Sequence, residues 1–63
     1  MMALSPGMFL KYKYSPDDIV VRVVKILEKT EDRIIFLGYW DSYNQEQQVV
    51  LTKENEGSWE IVK

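Results

Sequence analysis

The stretch "SPDDIVVRVVKILEKTED", Ser15 to Asp32, decides the fold, and it reads in two ways. As a helix, Ser15 is the N-cap and Pro16 the first helical residue. Asp17 and Asp18 then face the positive end of the dipole. On a 100° wheel Ile19, Val20, Val23, Val24, Ile26 and Leu27 share one side. Arg22, Lys25, Glu28 and Lys29 share the other, and only Val21 is misplaced. As a strand, Ser15-Pro16-Asp17-Asp18 is a type I turn that closes a tight hairpin. Valine and isoleucine fill six of the eight positions from Ile19 to Ile26. Such side chains lose χ1 freedom against a helical turn and suit a pleated sheet. The strand reading has one difficulty: Arg22 and Lys25 differ in parity, which requires a bulge or a change of face near Val23-Val24. The strand is preferred because so dense a β-branched run makes a poor isolated helix, and both flanks offer hairpin turns.

The rest of the chain supplies partners for that strand. "MFLKYKY" (Met8 to Tyr14) alternates, with Met8, Leu10, Tyr12 and Tyr14 on one side and Phe9, Lys11 and Lys13 on the other. "RIIFLGYW" (Arg33 to Trp40) is apolar on both faces. Ile34, Phe36 and Trp40 oppose Ile35, Leu37 and Tyr39, as in a central or doubly covered strand. Gly38 within it marks a bulge, a bend or a close backbone approach. "DSYNQE" (Asp41 to Glu46) is a polar loop, and "QQVVLT" (Gln47 to Thr52) is a strand with Val49 and Leu51 in and Gln48, Val50 and Thr52 out, or the reverse. "KENEGS" (Lys53 to Ser58) is a turn in which Asn55 or Gly57 is able to take positive φ. "WEIVK" (Trp59 to Lys63) is a last strand, with Trp59 and Ile61 opposing Glu60 and Val62.

Five strands joined by short connections predict an all-β fold. The layout resembles a small five-stranded SH3-like or OB-like barrel, an analogy of architecture that carries no function. The alternative is α+β, β-α-β-β-β, with a helix over residues 16–29 covering one face of the sheet. Residues 1–5 read as a disordered lead-in and residues 6–63 as a single small β-barrel domain, with order beginning near Pro6-Gly7.

Composition narrows the chemistry. The chain has 63 residues, 46% hydrophobic and 13% aromatic, with a net charge of −2, so it folds but carries no basic footprint for nucleic acid. Cysteine is absent, which excludes a disulfide framework and points to the cytoplasm for a domain this small. The first ten residues lack the features of a signal peptide, and no apolar run reaches membrane-spanning length. Histidine is absent too, so the commonest general base, the thiolate nucleophile and the usual transition-metal ligands are all missing. Asp17 and Asp18 fit a turn better than a cation site. The three glycines are isolated and form no phosphate loop. No catalytic residue, metal ligand or cofactor is expected.

The aromatics carry the functional expectation. Phe36, Trp40 and Trp59 suit the core of so small a domain. Tyr39 and Trp40 are adjacent and so point to opposite faces, which leaves one of them on an outer surface. With Tyr43 in the neighbouring loop, they predict the rim of a protein-binding surface, such as a groove for an extended or proline-rich peptide. The alternative stacks single-stranded nucleic acid on Tyr12 and Tyr14 beside Lys11 and Lys13. That reading is weakened by Asp17 and Asp18, which follow closely. A third reading is a homo-oligomer, since a small sheet apolar on both faces needs a cover for the second.

Overall fold

The computed structural model describes residues 2–62; Met1 and Lys63, the outer ends of the expected lead-in and domain, lie outside the described residues. Five strands form one antiparallel sheet: β1 (Phe9–Tyr12), β2 (Val20–Lys29), β3 (Arg33–Trp40), β4 (Gln45–Thr52) and β5 (Trp59–Val62). Their order is β4-β3-β2-β1-β5. The fold is all-β, and the helix over residues 16–29 does not form. Two single-turn 3-10 helices, Asp41–Tyr43 and Glu56–Ser58, are the only helical elements among the described residues.

The decisive segment is extended from Val20 to Lys29, but its ladder is interrupted twice. Val23 pairs with Gly38 and Lys25 with Leu37, which leaves Val24 as an extra residue. Ile26 pairs with Phe36 and Glu28 with Ile35, which leaves Leu27 as a second. Each bulge sets two residues against one and resets the side-chain alternation. Val21 and Val23 point inward before the first bulge, and Ile26 packs on the core after it. Two bulges three residues apart thus convert a period of two into spacings that mimic a helical wheel. That is why the helical periodicity was present without a helix.

The expected barrel does not close. β4 and β5 are the free edges of the sheet, and β5 pairs with β1 alone. Side chains of non-adjacent strands nonetheless meet over the inner face. β3 and β5 stand three positions apart, roughly 14 Å in a flat sheet at 4.8 Å spacing. Yet the rings of Trp40 and Trp59 have centroids 6.0 Å apart. The sheet therefore curls over its inner face. Leu10, Val21, Val23, Ile34, Phe36, Val49 and Leu51 fill that face and form the buried core. Met2 and Leu4, within the lead-in, pack against the edge of the core, and the Gly7 amide donates to the Val23 carbonyl at 2.8 Å.

The connections differ from expectation in three places. β1 stops at Tyr12, and Lys13 to Ile19 form an open loop instead of a tight hairpin. The Ser15 hydroxyl accepts from the Asp17 amide at 3.2 Å, and the Asp17 carbonyl from the Ile19 amide at 2.9 Å. These local bonds satisfy the turn residues without closing a two-residue hairpin. β4 begins at Gln45, two residues earlier than the polar composition of Asp41 to Glu46 indicated. Asn44, at φ 51°, turns the chain sharply enough for Gln45 to pair with Trp40. Positive φ thus falls at Asn44 and Gly7, not at Asn55 or Gly57. Asn55 uses its side chain instead. Its Oδ1 accepts from the Thr52 amide at 2.8 Å, and its Nδ2 donates to the Val50 carbonyl at 3.0 Å.

Candidate functional site

The curl brings together aromatics that are distant in the chain. Tyr12 is the last residue of β1 and pairs with Trp59, the first of β5. Trp40 ends β3 on the inner face, and the 3-10 turn that follows carries Tyr43 back over it. Tyr14, just past β1, stands edge-on to Tyr12. The result is an unbroken row: Tyr14, Tyr12, Trp59, Trp40, Tyr43. Successive ring centroids are 6.1, 5.1, 6.0 and 6.3 Å apart. Edge-to-face and tilted contacts of this kind lock the rings against one another.

The middle of the row is half-buried and its ends are open, Tyr14 being 71% and Tyr43 60% exposed. Between them Tyr12, Ile19, Trp40 and Trp59 line an apolar cavity of about 190 Å³. The Trp40 indole N–H and one Glu56 carboxylate oxygen are buried without a hydrogen-bond partner among the described residues. Buried polar atoms are seldom left so, and each is a point where an incoming group or a water would be gained without loss. The loop bordering Ile19 carries Asp17, and the 3-10 turn before Trp59 carries Glu56.

The structure sorts the residues singled out from the sequence. Trp40, Tyr43, Tyr12 and Tyr14 share the row. Tyr39 is on the opposite face, its hydroxyl donating to Asn44 Oδ1 and its ring 5.6 Å from the Arg22 guanidinium carbon. Lys11 is also on that outer face, with its ammonium 3.3 Å from Asp18. Alternation along β1 separates Lys11 from Tyr12, so the stacking residues and this lysine do not form one surface. Lys13 is exposed at the start of the open loop, its amide donating to the Ser58 carbonyl at 2.8 Å. Trp59 and Ile19 complete the groove and were not among the expected site residues. Trp59 was assigned to the core by size, and only its pairing with Tyr12 reveals that it floors a groove.

Among the described residues no group of three or more metal-ligating side chains converges on one point, and no helix is long and apolar enough to cross a membrane. Fold and site together define a small, open all-β domain with an aromatic groove at one end of its inner face. No protein-family model, curated protein or solved structure matches this chain.

Proposed function

We propose that this chain is a non-catalytic protein-interaction module of the cytoplasm, which holds an extended, proline-rich peptide segment in the aromatic groove. The observation that carries the reading is the continuous row of five rings over an apolar cavity. Proline-rich segments dock on such aromatic-lined surfaces because the polyproline II helix is already ordered and loses little entropy on binding. The four ring-to-ring steps span at most about 24 Å, which at 3.1 Å per residue accommodates about seven residues of polyproline II. Asp17 and Glu56 nearby favour a peptide with a basic residue beside its prolines. The lack of histidine and cysteine supports a role without catalysis.

Titration of Trp fluorescence with a basic proline-rich decapeptide tests this reading, since both tryptophans lie in the groove. Binding at about micromolar affinity is expected, with Tyr43→Ala and Tyr14→Ala each weakening it about tenfold while the fold is kept. No response to such peptides, or unchanged binding by both variants, would refute it. A response to single-stranded oligonucleotides alone, falling steeply with salt, would instead favour nucleic acid.

A further inference from the structure

The outer face of the sheet carries a second depression, built from different residues. Phe9, Val20, Arg22, Tyr39 and Asp41 line a cavity of about 270 Å³. Register explains the grouping. Phe9 pairs with Arg22, and Arg22 with Tyr39, so the three side chains run across β1, β2 and β3 on one face. Phe9 is 44% exposed at the rim, as is Val62, its partner on β5. Val50, beside Ile35 on β4, is equally exposed. No element of the described residues covers this face. Arg22 and Asp41 have opposite charges and line the same cavity. Among the described residues neither forms an ion pair, although Lys11, Arg33 and Lys53 each do.

We propose that this face is the interface of a two-fold symmetric dimer, with Phe9 of one copy seated against the other copy's cavity and Arg22 facing Asp41 across the axis. Three features point to a second copy as the occupant. A two-fold axis places the same patch on both sides, so a residue and its partner meet twice. A patch holding one uncompensated cation and one uncompensated anion is complementary to itself, whereas a patch of single sign would call for a different partner. The area is also of the right order. The chain measures 30 × 21 × 20 Å, so its broad face offers about 600 Å² per copy, at the small end of stable interfaces. Because the aromatic groove is on the inner face, the dimer leaves two grooves open and gains avidity for a repeated peptide.

Sedimentation equilibrium from micromolar to millimolar concentration tests the proposal. The expected result is a mass twice the 7.5 kDa of one chain, with Arg22→Asp and Asp41→Arg each weakening association at least about tenfold. An equimolar mixture of these two variants restores it, because the charges are then opposite at both contacts. Both substituted residues are at the surface, and folding is checked by circular dichroism and by the fluorescence of Trp40 and Trp59 on the other face. A monomer throughout the range would overturn the proposal. So would reversal variants that associate like wild type, or a mixture that fails to recover. Peptide titration of the Arg22→Asp variant reports on the groove separately, so the failure of one reading is not the failure of the other.

Discussion

Gly38→Ala is the sharpest probe of how this sheet is packed. Gly38 lies on the inner face of β3, directly opposite Val23 and next to the first bulge of β2. Its φ is outside the left-handed region, so the glycine is there for space and not for backbone freedom. A methyl group at this position would overlap Val21 Cγ1. It would also approach Phe36 Cε2 to 3.1 Å and Val49 Cγ2 to 3.3 Å. All three neighbours are core residues, with Val21 and Phe36 fully buried, so none can swing into solvent. Overpacking of this kind costs about 1 to 3 kcal/mol. Reduced freedom of the unfolded chain returns about 0.4 to 1 kcal/mol. The expected net loss is about 1 to 2 kcal/mol, which for a domain of this size lowers the midpoint of thermal unfolding by roughly 5 to 15 °C. Urea unfolding followed by Trp fluorescence measures it. Val21→Ala removes the overlapping methyl, so the double variant should cost about 1 kcal/mol less than the two single losses combined. A Gly38→Ala variant as stable as wild type, or strict additivity in the double variant, would refute the account.

Two further predictions concern the turns. Asn44 holds φ 51° and accepts a hydrogen bond from Tyr39. Asn44→Gly and Asn44→Ala both lose that bond, so the difference between them isolates the backbone cost. Alanine should be less stable by about 1 kcal/mol in urea unfolding, and equal values would contradict the left-handed assignment. Asn55→Ala removes bonds to the Thr52 amide and the Val50 carbonyl at the end of β4. A loss of about 1 to 2 kcal/mol is expected, together with faster amide exchange at Thr52, and unchanged exchange there would show that the side chain does not hold the turn.

What could be read from the sequence is what depends on near neighbours. Alternation along Met8 to Tyr14 placed Leu10 and Tyr12 on the same side, and the doubly apolar run of Arg33 to Trp40 marked a central or doubly covered strand, which is paired on both sides. Adjacency alone put Tyr39 and Trp40 on opposite faces. Parity at Arg22 and Lys25 called for an irregularity near Val23-Val24, and a bulge is there. The β-branched density of Ile19 to Ile26 outweighed the helical wheel, because the wheel was an echo of two bulges.

The tertiary structure alone decided the rest. Turn residues signal that the chain reverses, but not how many residues the reversal takes. Lys13 to Ile19 therefore opened into a loop, and Asn44 rather than Asn55 took the left-handed conformation. Closure of the sheet depends on whether β4 and β5 meet, and no local pattern encodes an edge-to-edge distance. The aromatic groove has the same origin. Tyr12, Trp40 and Trp59 come from three strands, and only the register of β1 with β5 and the curl of the sheet bring their rings within contact. Local chemistry sets the conformation of a segment, whereas a site assembled from distant residues exists only once the packing of the whole sheet is in place.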